Sequence, residues 1–336
     1  MKIGIIFRKY RASDYDEISG RKSKSWYKGV VSRHTIEYAT YKYVKRRYPE
    51  HKFFLVDPYK LGSVAYRKRV SKFDVVWLGF EDSTNVYKQV VVERGINKRN
   101  IKRAKVVWNN VMKLKNIFPK AQFVDFMSDK CKYYTFLDKK GFSIMPTKCW
   151  GIKQLKNLGG LMRFIRRFKK VYIKPIPSGE GYGNISFTKN TPKEEVEKYV
   201  RDLESKGMEK IVVQEFSSFA TPGNPELRTY WVGGKYVYGV RTYYTGYFKN
   251  RIMRLPAKLN TMGAQIHKEL TKKFKMPILS MRIDYGKQGK NYFVNELEIM
   301  YGTFLDYIGN QKIVYEKRLG DELMRILQKK TNIAIN

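Results

Sequence analysis

Over the first 125 residues, short apolar runs alternate with stretches whose apolar positions recur at three- and four-residue spacing. Ile3 to Phe7, Phe53 to Val56, Val75 to Phe80 and Gln122 to Val124 read as strands, and Val30 to Arg47 and Ile101 to Ile117 as helices between them. That alternation predicts a small, open, mostly parallel sheet. Ser128 and Asp129 start a further helix over 130–140, Gly141 stops it, and Pro146 breaks the chain again, which puts a boundary near residue 126. From Val171 onward the texture changes to short β-rich runs with tight turns. Helices are predicted there only at Pro192 to Lys206 and Gly263 to Phe274.

Several of these runs carry candidate chemistry. VYIKP, residues 171–175, is a strand with Lys174 near its end; Gly179, Gly181 and Gly183 follow before the strand ISFT. No helix follows the glycines and no Gly-Lys-Ser/Thr ends them, so neither a dinucleotide fingerprint nor a Walker loop fits. A glycine flap whose backbone N–H groups approach phosphate oxygens fits better, with Lys174 neutralising their charge. IVVQEF, residues 211–216, is a buried-type strand ending in Gln214, Glu215 and Phe216, where backbone groups could meet a flat heterocycle.

RTYWV, Gly233-Gly234 and KYVYGVRTYY form the strongest hairpin signal. If Val232 pairs with Lys235, a regular ladder sets Glu226 opposite Arg241 and Arg228 opposite Gly239, so the three charges share one face. An arginine fork suits developing phosphoryl charge. Further on, PILSMRIDYG and NYFVNELEIM flank the turn KQGK, with Asp284 on one strand and Glu296 and Glu298 on one face of the next. Neighbouring carboxylates repel unless a cation intervenes, and hard divalent ions take oxygen ligands.

Composition narrows the partners. The 336 residues carry 68 Lys and Arg against 30 Asp and Glu, a net charge of +38, which favours anionic partners: phosphorylated metabolites, acidic polypeptides, nucleic acid or anionic membrane surfaces. Two cysteines, Cys131 and Cys149, with no CxxC spacing, fit a reducing, cytoplasmic setting and argue against a disulfide scaffold. Three scattered histidines make a zinc site unexpected. The opening MKIGIIFRKY has its basic cluster after the apolar run, so it reads as a first strand and not as a secretory signal. No run of about 18 apolar residues predicts a transmembrane helix.

Taken in order, these pieces resemble the ATP-grasp superfamily, and within it carboxylate–amine ligases of the glutathione synthetase and ribosomal protein S6 modification type. Asp129-Lys130, Leu137, Gly141 and Pro146 are similar to that family's opening lysine pattern; Lys174 with Gly179, Gly181 and Gly183 resembles its second lysine and flap. Gln214-Glu215-Phe216 looks like its adenine hinge, and Glu226-Leu227-Arg228 like its acid-x-Arg pattern, which makes Glu226 a ribose contact. Arg241 then takes the position of an arginine on the transferred phosphate, Asn260 resembles an asparagine before the last helix, and Asp284 and Glu296 look like two carboxylates that share magnesium. The resemblance covers residues of about 127 to 310. It departs at Glu296-Leu297-Glu298, where the family has Glu-x-Asn, and at Ile299-Met300-Tyr301-Gly302, where it has Ser-x-Pro-Gly.

The resemblance implies an α/β (α+β) ATP-grasp fold: an N-terminal α/β domain over 1–126, a central lid subdomain over 127–215, and a C-terminal subdomain with the metal site over 216–336. It implies ATP and Mg²⁺ (or Mn²⁺) as cofactors, with Lys130 on the nucleotide. Arg228 and Arg241 would hold an acyl phosphate that an amine attacks to form an amide and ADP. The charge then suggests an anionic small molecule or acidic peptide as substrate. Two other readings stay open: an ATP-grasp kinase of a phosphorylated small molecule, and a basic, non-catalytic module binding ATP or nucleic acid, for which the carboxylate at Glu298 would mark lost activity.

Overall fold

The computed structural model describes residues 1–6, 36–79, 97–176, 183–244, 248–299 and 310–333. Three sheets organise the chain. The first contains β1 (Lys2–Ile6), β2 (Lys52–Leu55), β3 (Val75–Leu78) and β4 (Ile117–Phe118), all parallel in the order β2-β1-β3-β4. Helices α1 (Ile36–Arg47), α2 (Val64–Val70) and α3 (Lys98–Met112) accompany these strands. α3 starts because the Asn97 side chain accepts from Asn100 N–H, and it buries Ile101, Ala104, Trp108 and Val111 at helical spacing. Within the described residues the predicted strands at 3–7, 53–56 and 75–80 are found within a residue or two. Phe7, Phe80 and the predicted helix start at 30–35 lie outside them.

One predicted strand is a helix. Gln122 to Val124 belongs to α4 (Ala121–Ser128), whose buried Phe123, Val124, Phe126 and Met127 follow a helical stripe, while the strand lies earlier, at Ile117–Phe118. A three-residue apolar run fits either period, and the partner strand β3 settles it. α5 (Lys130–Lys139) follows at once, capped by Asp129, whose carboxylate accepts from Cys131 N–H and Lys132 N–H.

The second sheet is antiparallel, in the order β5-β8-β6-β7: β5 (Thr147–Gly151), β6 (Lys170–Ile176), β7 (Ile185–Thr188) and β8 (Lys210–Glu215). α6 (Gly159–Arg167) and α7 (Lys193–Ser205) cover it and share a separate core built on Leu161, Ile165, Val171, Ile173, Val196 and Ile211. Cys131 and Cys149 are disulfide-bonded, tying the first turn of α5 to β5. The expectation of two reduced thiols is corrected here. Nothing in an 18-residue separation announces the pairing; the packing of α5 against β5 brings the Cα atoms to 5.9 Å.

The third sheet has the order β11-β10-β9-β12-β13, all neighbours antiparallel: β9 (Glu226–Val232), β10 (Lys235–Tyr244), β11 (Phe248–Met253), β12 (Ser280–Gln288) and β13 (Asn291–Glu298). Gly233 and Gly234, at φ 57° and 78°, make the tight turn that the sequence predicts, since only positive φ at both positions matches the strand twist. α8 (Ala257–Phe274) packs on one face, with Gly263 so close to the indole of Trp231 that a Cβ there would lie 2.3 Å from it. α9 (Asn310–Ile333) returns to α1, where Gly320 meets Tyr43 and Val44. One continuous apolar cluster runs from Ile3 through Tyr230 to Leu327, so the first and third sheets share a core.

Candidate active site

Six charged side chains lie on the face of the third sheet opposite α8. Register fixes them: Asp284 on β12 pairs with Arg228 on β9 and with Glu296 on β13, and Arg282 pairs with Glu298. Glu226 is two residues before Arg228 and so shares its face. Arg282 grips Asp284 with both arms of its fork, Nε to Oδ1 at 2.7 Å and Nη2 to Oδ2 at 2.8 Å, and reaches Glu298 Oε2 at 2.8 Å. Arg228 contacts Glu226 at 2.5 Å and stands 3.8 Å from Asp284. Burial opposes the charge of both guanidiniums, but the adjoining carboxylates outweigh it and hold both pKa values above the ordinary arginine range.

Two β-bulges change what sequence periodicity implied. Between Tyr236 and Tyr238 the ladder shifts by one residue, so Glu226 pairs with Thr242 and Arg228 with Val240. Arg241 therefore sits opposite Leu227, on the other face, where its guanidinium donates to the Pro222 carbonyl at 2.7 Å. The expected Glu226–Arg241 face is corrected: a one-residue slip exchanges the faces of every side chain beyond it. In β13 the shift falls between Val294 and Glu296 and leaves Asn295 unpaired. Both neighbours then serve the cleft: Asn295 donates to Glu226 Oε2 at 3.1 Å, and Glu296 accepts from Lys130.

The opposite wall comes from α5 and the second sheet. Asp129 caps α5 and binds Lys210 at 2.6 Å, which fixes the first turn and with it Lys130. The Lys174 ammonium is buried, donates to Tyr134 Oη at 3.4 Å, and lies near the Tyr134 and Tyr172 rings. Desolvation first, and the charge of Lys130 second, lower its pKa to about 7 against the pull of Glu226 and Asp284. The Tyr134 hydroxyl also donates to the Asn295 carbonyl, joining the two walls.

A cleft pocket of about 340 Å³ opens between these walls. Of the residues singled out from sequence, Lys174, Gln214, Glu215, Phe216, Glu226 and Glu296 line it. Within the hinge, Gln214 is pinned to Thr147 by its side chain, and the Glu215 and Phe216 N–H groups already donate to Pro146 and Lys170. Gly179 and Gly181 lie outside the described residues; Gly183 stands at φ 71°. Asn260 stands in the first turn of α8, across the sheet, and is not among the pocket-lining residues.

Sequence reasoning missed Arg282, Asn295, Tyr134, Met145, Tyr172 and Phe293. Arg282 was within reach of it, because a residue two before Asp284 on one strand must share its face. Asn295 was not, since a bulge leaves no mark in the alternation.

Asp284, Glu296 and Glu298 each offer an oxygen, all within 4.8 Å of one another. An all-carboxylate donor set fits a hard divalent cation. Arg282 and Lys130 already lie against these three carboxylates, so a cation bound there would share or displace those contacts. Counting Glu226, the four acids are paired with three cations, Arg228, Arg282 and Lys130, and Lys174 stands beside them with its pKa lowered to about 7.

The sequence matches no family model and no curated protein. Solved structures do match. D-cycloserine synthetase DcsG superposes with a TM-score of 0.65 at 11% identity, covering 97% of this chain and 100% of that one. D-alanine–D-alanine ligase from Bacillus anthracis gives 0.62 at 12%, covering 99% of each. The ATP-grasp ligase PsnB, complexed with a minimal precursor, gives 0.57 at 11%, covering 96% and 98%. The chain has the ATP-grasp fold. The α/β architecture expected from sequence is the one found, at an identity where only the fold is carried by the likeness.

Proposed function

We propose that the protein is an ATP- and magnesium-dependent carboxylate–amine ligase that works through an acyl phosphate on an anionic substrate. The observation that carries this is the shared face of Arg228, Arg282, Asp284, Glu296 and Glu298, with Lys130 and Lys174 on the opposing wall. Such a surface suits a polyphosphate and a transferred phosphoryl group, and it requires no side-chain nucleophile. The synthetase and ligases that share the fold support the same reaction class.

In this reading the heterocycle lies between Met145 and Phe293 beside the hinge 214–216, and Glu226, oriented by Asn295, accepts from the ribose hydroxyls. Lys174 holds phosphate charge. Lys130 moves from Glu296 to the phosphates, and Asp284, Glu296 and Glu298 would hold magnesium, which when bound neutralises phosphate oxygens. A substrate carboxylate oxygen attacks the γ-phosphorus as the bond to ADP breaks. The amine nitrogen then attacks the acyl carbon, phosphate leaves, and the amine proton passes to solvent. Arg228 and Arg282 stabilise the charge that develops in both steps; Glu298, where the family resemblance has asparagine, is matched by Arg282.

Incubation with ATP, Mg²⁺ and pools of amino acids, acidic peptides or inositol phosphates, read as ADP release and product mass, tests the proposal. A condensed amide is expected. A phosphorylated product, or no substrate-stimulated ADP from any pool, overturns it. Nucleotide binding that survives Lys130→Ala with Lys174→Ala overturns the site assignment.

A further inference from the structure

A second concavity lies on the other side of α5 from the cleft. It has a volume of about 840 Å³ and runs between α5 and α8. Its floor includes Phe126 and Phe136, both almost fully buried. Lys132, Lys139 and Lys140 rim it from the α5 side, and Lys272 and Lys273 from α8, all five exposed. Glu269 is the one acid among the residues that line it; Lys140 pairs with it at 2.6 Å and draws its pKa below the usual carboxylate range. Lys273 is 5.4 Å from the Phe126 ring and 5.8 Å from Phe136, so the aromatic floor carries a cation at its edge. Five lysines against one glutamate leave a local charge of +4.

We propose that this groove is a docking surface for an acidic polypeptide segment that presents apolar side chains to the floor and carboxylates to the lysine rims. Crowding like charges around a groove is unfavourable unless an anionic partner offsets it. A second copy of this chain is a poor occupant, because it carries 68 basic against 30 acidic residues. A nucleic-acid backbone would satisfy the rims, but it offers nothing apolar for a floor that includes two phenylalanine rings. The chemistry of both parts together selects a peptide of alternating acidic and apolar character, as in helix-in-groove recognition. The site stands apart from the cleft, since α5 turns Lys130 towards Glu296 and Lys132 and Lys139 towards the groove. It does not rest on the ligase reading, and its test needs no turnover.

The probe is a fluorescein-labelled 16-residue peptide of four Glu-Glu-Leu-Phe repeats, titrated with the full chain and read by anisotropy. Lys132→Glu, Lys139→Glu and Lys273→Glu together should weaken binding at least tenfold. Lys60→Glu, Lys68→Glu and Lys72→Glu, exposed positions between β2 and β3 that give the same change in net charge, should weaken it less than twofold. An unchanged melting curve of each variant by circular dichroism shows that folding is intact. A 16-residue all-glutamate peptide should bind at least fivefold more weakly, as the floor requires. Absence of peptide binding overturns the proposal, as do equal losses in the two triple variants, equal affinity of the all-glutamate peptide, or displacement of the probe by a 16-nucleotide oligothymidylate at lower concentration than by unlabelled peptide.

Discussion

On the proposed reading, Lys174 makes nucleotide binding a proton-coupled event. Its ammonium is buried in the cleft wall, and desolvation with the neighbouring Lys130 brings its pKa to about 7 in the free protein. A triphosphate beside it favours the charged form and raises that pKa towards the ordinary lysine value of about 10.4. The sign follows from linkage: above pH 7 the free protein has lost the proton that the complex holds, so binding takes up a proton and weakens as pH rises. The charged fraction of the free protein falls from about 0.24 at pH 7.5 to about 0.01 at pH 9, which is a loss in affinity of about 25-fold, or about 2 kcal/mol. ATP itself is fully ionised across that range. Titration calorimetry in two buffers of different ionisation enthalpy should give close to one proton taken up per ATP at pH 8.5. Lys174→Arg, charged at every accessible pH, should abolish the uptake if the longer side chain is accommodated, and Lys174→Met should abolish both the uptake and the pH slope. A wild-type affinity that is flat from pH 7.5 to 9, or a slope that persists in Lys174→Met, refutes the reasoning.

Other outcomes follow from the same geometry. Arg282→Ala strands Asp284 and Glu298 beside each other and should cost about 3–5 kcal/mol in urea unfolding, as breaking a buried pair does; millimolar Mn²⁺ should restore part of the loss by taking the place of the guanidinium. Arg228→Ala should lower substrate-stimulated ADP release by at least about 100-fold, whereas Arg241→Ala, on the far face, should change it less than about threefold. Equal losses in these two variants would mean that the bulge in β10 does not set the catalytic face. Gly263→Ala pushes a Cβ to 2.3 Å from the Trp231 ring and should destabilise by about 1–3 kcal/mol, read as a lower melting temperature with unchanged ATP affinity at 20 °C.

Periodicity made most of the architecture legible, because a strand or helix must show its period to bury one face. Val75 to Leu78 and Lys193 to Ser205 are cases where the apolar spacing alone located the element. Gln122 to Val124 failed because three residues cannot distinguish a period of two from one of 3.6, and α9 went unread because no motif fell on it. In the site, alternation sufficed to put Glu296 and Glu298 on one face, but a regular ladder continued from Gln288 and Asn291 would set Asn295 opposite Asp284, and it is the bulge in β13 that brings Asp284 to the two glutamates. The same logic misplaced Arg241, since the extra residue in β10 is a product of how the strand seats against β9 and not of its composition.

The sequence by itself therefore determined the kinds of groups available: two lysines, three closely spaced glycines, a Gln-Glu-Phe strand end, an acid-x-Arg strand and three carboxylates in a fixed order along the chain. Tertiary structure decided which of them meet. It substituted Arg282 for Arg241 in the charged cluster and brought Asn295 to Glu226 through a bulge. It set Lys130 against Glu296 across 166 residues of chain, and joined Cys131 to Cys149. The physical reason is range. Alternation and capping act over a few residues and are written locally, whereas strand register, helix seating and desolvation depend on partners that the chain supplies only after it has folded.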